Sequence, residues 1–464
     1  MTLISSISGI RGTIGGKPGE GLTPVDLTKF ASAYGSWLLK KNGKKKLKVV
    51  IGRDARISGD MVCGIVCNTL NALGVDTIEL GMATTPTVEI AVVSEKADGG
   101  IIITASHNPV NWNALKLLND EGEFLSSEEG EEVLQMAGEE KFSFVPWDEL
   151  GIRIVKNDYH FNHIEKILAL DLVKTDLIKK AGFRLVVDGV NSVGGFTVPE
   201  LLRKLGVHDI IELNCEPTGL FAHDPEPLPK NLTGLSEAVV QHRADLGIVV
   251  DPDVDRLAFI CENGEMFGEE YTLVAVADYV LSKYPGNTVS NLSSTEALSV
   301  VTEKYGGKRY LAAVGEVNVV RIMKEVNAII GGEGNGGVIF PALHYGRDAL
   351  AGIALFLSHL AEKGKKISEL RKTYPDYFMA KNKVLYDERT DAEKVFSAVS
   401  DHFKEYPQNT IDGLFIKLEN GWIHFRRSNT EPVFRIYIET NGREETEKLS
   451  NQVVNLVSNL ISHA

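Results

Sequence analysis

Three aspartates spaced two apart, Asp251, Asp253 and Asp255, follow a β-branched run in the stretch DLGIVVDPDVDRLAFI. If the chain stays extended past that run, alternate side chains face the same way and the carboxylates crowd together. Such a group repels itself unless a cation sits among its oxygens, and hard oxygen donors select Mg2+ or Ca2+ over Zn2+. Arg256 comes next, which suggests that an anion shares the site. A calcium-binding EF-hand fits poorly. Asp251, Asp253, Asp255 and Glu262 match the loop's acidic positions, but Arg256 stands where the turn requires Gly, and the flanks LGIVV and LAFI are strand-like. A solvated acidic turn accounts for one or two aspartates, less readily for the series. Catalytic Mg2+ is the preferred reading.

Three further stretches carry chemistry. In GGIIITASHNPVNWNALK, Gly99 to Lys116, three isoleucines run into Ser106, His107 and Asn108. Ser106 or Asn108 suits a helix N-cap, with Pro109 near the start and VNWNALKLL as the helix. Ser106 could also be a nucleophile, although the Gly-x-Ser-x-Gly elbow of esterases is missing. The two readings are compatible, since a helix start favours a phosphate and a phosphorylated Ser106 could ligand Mg2+. IIGGEGNGGVIF presents Glu333 and Asn335 among five glycines. It lacks the Gly-Lys-Ser/Thr end of a P-loop; its acceptor and amide suit sugar hydroxyls, and a plain hairpin is an equal alternative. FRRSNTEPVFR groups Arg426, Arg427, Ser428, Asn429, Thr430 and Arg435, types that hold a phosphate in a turn, or that form a basic surface turn.

These loops need strands and helices to hold them. KVVIGRDARISG from Lys48, RLVVDGVNSVGG from Arg184 and LGIVVDPDVDR from Leu246 are short β-branched runs ending in polar loops. Helix-like segments, GDMVCGIVCNTLNALG and GGFTVPELLRKLG, follow the first two. Alternating strands and helices predict α/β layers, and the three runs could lead three related domains. Dividing segments fall at 146–160, 256–262 and 371–387; the last part, helix–strands–helix, reads as a small α+β domain. With 464 residues, 43% hydrophobic and 24% charged, the chain needs no disulfide staples. Cys63 and Cys67, four apart in a helix-like segment, read as packing residues. A net charge of −14 argues against nucleic acid as the main partner, and the basic run Lys40 to Lys48 reads as a helix end and turn. Neither a signal peptide nor an apolar run of membrane-spanning length is evident, so a cytoplasmic location is expected.

TASHNP, DPDVDR, GEGNG and RRSNTEP occur in that order, with SGIRGTIG near the start. Together they resemble the signature loops of the α-D-phosphohexomutase family over essentially the whole chain. The resemblance implies three related mixed α/β sandwich domains, at 1–155, 156–257 and 258–372, and a small α+β domain like the TATA-box-binding protein at 373–464. It implies that Ser106 is a phosphoserine exchanging a phosphoryl group between C6 and C1 of a hexose phosphate, through a hexose 1,6-bisphosphate that turns end for end. Asp251, Asp253, Asp255 and a phosphoserine oxygen of Ser106 would hold one Mg2+. Lys116 would be the general acid/base, His107 and Arg256 would assist proton movement and orient phosphate, and Arg11 would contact phosphate near the serine. Glu333 and Asn335 would grip sugar hydroxyls; Arg426, Ser428, Asn429 and Thr430 would hold the non-reacting phosphate. Pro252, Asn335 and Ala114 stand where many members have Gly, Ser and Gly. The GGEGNGG loop is similar to the archaeal-type phosphoglucosamine branch, which implies glucosamine 6-phosphate to glucosamine 1-phosphate as the reaction. Phosphoglucomutase/phosphomannomutase activity is the alternative, and a phosphatase or a non-catalytic sugar-phosphate or calcium-binding protein are readings of other classes. Hexose phosphate is the expected partner, with neither nucleic acid nor membrane, in a monomer or homodimer.

Overall fold

The computed structural model describes residues 2–6, 9–43, 46–387, 390–428 and 432–463. Its first sheet has seven strands in the order Ile4–Ser6, Gly9–Thr13, Trp112–Leu118, Gly99–Ile103, Lys48–Arg53, Asp76–Met82, Arg153–Val155. The four from Gly99–Ile103 to Arg153–Val155 run parallel, the other three antiparallel. The second sheet orders Leu257–Cys261, Leu246–Val250, Arg184–Asp188 and Asp209–Leu213. The third orders Arg309–Ala312, Thr288–Asn291, Ile330–Glu333 and Gly337–Ile339, and the fourth is an antiparallel sheet of five strands. Three mixed α/β sheets followed by an antiparallel sheet with helices is the expected fold class.

One device recurs in the first three sheets. A buried parallel strand ends, the chain loops, and it returns as the antiparallel neighbour. Gly99–Ile103 returns as Trp112–Leu118, Leu246–Val250 as Leu257–Cys261, and Ile330–Glu333 as Gly337–Ile339. The connections are the serine loop, the aspartate loop and the glycine loop. A reversal at the carboxyl end of a parallel strand puts polar side chains at the sheet's rim, where α/β proteins bind ligands.

Three expectations change. VNWNALKLL forms no helix: Trp112–Leu118 is a strand bonded on both sides, to Gly99–Ile103 and to Gly9–Thr13. Two ladders of hydrogen bonds override the local helix reading. Leu246–Val250 does not lead a third domain, because it pairs parallel with Arg184–Asp188 inside the second sheet. Leu257–Cys261 pairs into that sheet too, so the sheet continues beyond the division expected at 257/258.

Packing joins the units. One continuous apolar cluster runs from Ile164 of the second unit to Tyr374 of the third. Within it Phe259 stacks on Phe356 with ring centroids 3.9 Å apart, and Phe267 meets Phe356 edge-on at 5.3 Å. Truncating one such buried ring to Ala costs about 3–5 kcal/mol. The helix Pro24–Asn42 starts on a capping box between Thr23 and Asp26 and stops at Gly43 in a left-handed conformation, so the basic run begins as a helix end and turn. The helix Gly59–Ala72 buries Cys63 and Cys67 against the first sheet, their sulfurs 3.9 Å apart; nearby Glu79 is paired with Arg153 at 2.6 Å. Among the described residues no helix is long and apolar enough to cross a membrane.

Candidate active site

The serine loop leaves its strand at Thr104. Ser106 then takes a left-handed conformation, φ 47°, which costs a residue with a Cβ roughly 1–2 kcal/mol. In this pose the Ser106 hydroxyl donates to Asp251 Oδ2 at 2.8 Å, and His107 Nδ1 lies 3.4 Å from its oxygen. The expected helix cap at Ser106 is absent because the segment that follows is a strand. The helix start nearest the aspartates belongs instead to Thr85–Glu95. Thr85 N–H donates to the Asp253 carbonyl at 2.9 Å, and its hydroxyl donates to Asp253 Oδ2 at 2.7 Å.

Asp251, Asp253 and Asp255 are fully buried, each offering an oxygen within 4.8 Å of the others. They converge on a turn rather than an extended run: Val254 has φ 63°, and its N–H donates to the Asp251 carbonyl. The Asp255 and Arg256 backbone N–H groups both donate to Asp251 Oδ1 at 3.2 Å. Burial, then the Asp255 and Asp253 charges, push Asp251 well above the ordinary carboxylate range. Lys116 Nζ sits 2.7 Å from Asp253 Oδ2 and 3.9 Å from Asp255 Oδ2. Arg347 donates to Asp255 Oδ2 at 2.5 Å. Burial works to raise Asp253, but Lys116 and the Thr85 hydroxyl outweigh it and hold it below the ordinary range.

Among the described residues, nothing donates a hydrogen bond to the buried Asp253 Oδ1 and Asp255 Oδ1. Orphaned carboxylate oxygens beside a third carboxylate form a hard donor set, and a small divalent cation such as Mg2+ fits it. The flanking protonation states follow from the same charges. Burial disfavours the Lys116 ammonium, yet Asp253 and Asp255 outweigh it and raise its pKa, so the group keeps its proton. Arg256, then burial, hold His107 well below its ordinary value, so its imidazole is neutral near pH 7. Arg256 Nε lies 4.0 Å from Asp251, 3.8 Å from Asp255 Oδ1, and has no hydrogen-bond partner.

The glycine loop is a tight hairpin. Asn335 folds back to accept from Gly337 N–H at 3.3 Å. Glu333 accepts from Asn291 Nδ2 at 2.7 Å, Gly315 N–H at 3.0 Å and Arg347 at 2.8 Å. Burial would raise it, but Arg347, Asn291 and Gly315 outweigh burial and hold it low. Glu333 and Asp255 thus share one guanidinium, which links the glycine loop to the aspartate loop.

In the fourth sheet, Arg426 and Arg435 are cross-strand partners. Arg435 reaches Ser428 Oγ at 3.4 Å, and Ser428 N–H closes the turn on the Val433 carbonyl. Arg11 comes from the first sheet. Burial and then the Arg435 charge depress Arg11; burial and Arg435 also depress Arg426, against the pull of Asp412. The Arg435 charge, acting on both Arg11 and Arg426, concentrates positive charge where an anion would be favoured. Asn429 and Thr430 lie outside the described residues. Arg435 was quoted in the loop but not expected in the site; its cross-strand pairing with Arg426 is what places it there. Arg347 and Arg56 were also missed. Arg347 directly precedes Asp348 in GRDA, and Arg56 follows Asp54 by two residues in GRDAR, a faint signal in the sequence.

Four family models described as phosphoglucomutase/phosphomannomutase match in order: α/β/α domain I over residues 4–144, domain II over 158–264, domain III over 268–377 and the C-terminal domain over 383–456. The chain belongs to the phosphoglucomutase/phosphomannomutase family. It is thus a phosphohexomutase, an isomerase acting by intramolecular phosphotransfer. Among this phosphohexomutase's relatives, a phosphoglucomutase/phosphomannomutase of Thermococcus kodakarensis is 38% identical over 94% of this chain and 96% of its own. A probable phosphoglucosamine mutase of Methanopyrus kandleri is 34% identical over 97% and 96%. A phosphoglucomutase/phosphomannomutase family protein from Burkholderia thailandensis, solved by X-ray crystallography, superposes with a TM-score of 0.84 at 25% identity, covering 99% and 98% of the two chains.

Proposed function

We propose that this phosphohexomutase interconverts glucosamine 6-phosphate and glucosamine 1-phosphate with Ser106 as its phosphoryl carrier. The observation that carries the reading is the 2.8 Å contact of the Ser106 hydroxyl with a buried aspartate triplet, in a chain whose first and fourth units also bring Arg11, Arg426 and Arg435 within electrostatic reach of one another. One position receives the transferring group and the other holds a second phosphate, which a substrate with phosphates at both ends requires.

Phosphoserine 106 gives its phosphoryl group to the free hydroxyl of the hexose phosphate, leaving a hexose 1,6-bisphosphate and a free serine. The bisphosphate turns end for end, and Ser106 takes back the other phosphoryl group. Asp251, Asp253, Asp255 and a phosphoserine oxygen would hold one Mg2+, which would supply charge withdrawal from the transferring phosphoryl. Asp251 orients the serine oxygen. The proton of the attacking sugar hydroxyl passes to neutral His107, while Lys116, held protonated beside Asp253, gives its proton to the departing serine oxygen; the proton on His107 then returns to Lys116. Arg256 lies between Asp251 and Asp255 and neutralises charge as the group transfers. Arg426, Arg435, Ser428, Asn429 and Thr430 hold the phosphate that does not react, and Arg11 contacts the phosphate near the serine. Glu333 and Asn335 contact the sugar hydroxyls, Glu333 through the acceptor capacity left beside Arg347. The domain limits at 1–155 and 373–464 and a cytoplasmic setting belong to the same reading.

A second sugar specificity has an observation in its favour: the relative at 38% identity is named phosphoglucomutase/phosphomannomutase. Comparing kcat/KM on glucosamine 6-phosphate, glucose 1-phosphate and mannose 1-phosphate decides between them. The proposal predicts at least a tenfold preference for glucosamine phosphate; a preference for glucose or mannose phosphate overturns it.

A further inference from the structure

Arg56 is almost completely buried, although its guanidinium touches neither the aspartate triplet nor the arginine cluster. Its five N–H donors are all used. Nε donates to Asp54 Oδ2 at 3.0 Å. One terminal nitrogen donates to the Pro109 carbonyl at 2.6 Å and the Trp112 carbonyl at 3.0 Å; the other donates to the Ser106 carbonyl at 2.6 Å and the Asn108 carbonyl at 2.7 Å. Four carbonyls of one loop thus converge on one side chain. Only a planar fork of donors does this; an ammonium has three and no fixed plane.

The other side of Ser106 is held by the same pair. Ser106 N–H donates to Thr104 Oγ1 at 3.0 Å, and that hydroxyl donates to Asp54 Oδ2 at 2.7 Å. Both peptide groups flanking the left-handed serine are therefore fixed through Asp54 and Arg56. A left-handed, non-glycine residue persists where its surroundings over-determine it. Release of the Ser106 carbonyl lets φ relax to negative values, which swings the hydroxyl away from Asp251.

The clamp is itself tied to the metal loop. Ser192 of the second unit accepts from Ala55 N–H at 3.4 Å and donates to the Pro252 carbonyl at 2.6 Å. The Phe221 ring covers the Arg56 guanidinium at 5.0 Å. Gly219 lies so close that a Cβ there would meet the Ala55 carbonyl at 2.1 Å. The segment Asp54–Arg56 is thus wedged between the serine loop and the unit that supplies the aspartates.

We propose that Arg56 is a positioning residue of the phosphoryl transfer, locking Ser106 in the left-handed pose that aims its oxygen at Asp251. This rests on the reading of Ser106 as the carrier. Substrate phosphate is gripped by other residues, so the clamp acts on turnover rather than on substrate binding. A misplacement of about 1 Å at the reacting atom lowers the rate about 100-fold.

The test is Arg56→Lys in the full-length Mg2+-loaded enzyme, with Arg56→Gly plus added guanidinium as a second arm and a circular-dichroism melt to verify folding. Expected for Arg56→Lys are a kcat about 100-fold lower, a KM within about threefold of native, and faster amide exchange over residues 105–112. Guanidinium should restore part of the kcat of Arg56→Gly; if that variant does not fold, Arg56→Lys decides alone. Native kcat, or unchanged exchange over 105–112, overturns the proposal, as does a loss confined to KM. Phosphate mapping on the native enzyme after incubation with glucose 1,6-bisphosphate separates the two readings. No phosphate at Ser106 defeats the carrier assignment, whereas the exchange measurement tests the clamp independently.

Discussion

Arg435 shows what a single residue can do when its neighbours share its charge. Its guanidinium faces Arg426 across the sheet and depresses Arg11 from another domain. Three half-buried cations within reach of one another's charge favour a doubly charged ligand. Arg435→Met should raise KM for hexose phosphate about 10- to 100-fold, as expected for loss of a charge-assisted hydrogen bond of roughly 1.5–3 kcal/mol, with kcat within a few-fold. Steady-state kinetics check this, and an unchanged KM contradicts it. Much of the site was legible at this scale, because Ser106, Asp251, Asp253, Asp255 and Arg426 announce their chemistry by type and spacing. Arg56 and Arg347 did not, since one acts on backbone carbonyls and the other on carboxylates far away in sequence. Such partners exist only once the chain has folded.

At the scale of elements, the reversal of a parallel strand into an antiparallel neighbour sets the loops. The serine loop's second strand was read as a helix because WNALKLL carries apolar residues compatible with either period, and only pairing on both edges decides it. The fourth unit was read correctly, since its alternation in VFRIYIET is strict and one face packs on helices. It also docks through an element with a pH signature. His424, on the strand Gly421–Arg427, accepts from Ser293 Oγ of the third unit at 2.8 Å and donates from Nε2 to the Asp412 carbonyl at 2.7 Å. Burial lowers its pKa from 6.5 to about 4. The unfolded chain therefore binds a proton first as pH falls. Stability is fully present above about pH 6.5 and is lost down to about pH 4, by about 3 kcal/mol in all. Urea midpoints measured across that window should fall for the native enzyme and fall less for His424→Gln. Parallel curves for the two proteins would contradict the assignment.

As a whole molecule, the protein draws the proposed site from four units. The first supplies Ser106, Lys116 and Arg11, the second the aspartates, the third Arg347 and Glu333, and the fourth Arg426 and Arg435. The second and third units share a core, and Arg347 ties their loops together directly. The order of the motifs made the four-unit plan legible. The limit of the second sheet was not, because a β-hairpin through the aspartate loop keeps Leu257–Cys261 in that sheet although the residues before it read as a boundary. The central claim is that Ser106 carries the phosphoryl group between the two ends of the sugar. Peptide mapping by mass after incubation with glucose 1,6-bisphosphate should show a gain of about 80 Da on the segment containing Ser106. If that phosphate is isotopically labelled, the label should pass to the sugar phosphate on adding glucosamine 6-phosphate as glucosamine 1-phosphate forms, while each cycle rephosphorylates Ser106 with an unlabelled group; Ser106→Ala should show neither the gain nor the transfer. Turnover by Ser106→Ala within a few-fold of native, or the phosphate mapping to another residue, would contradict the account.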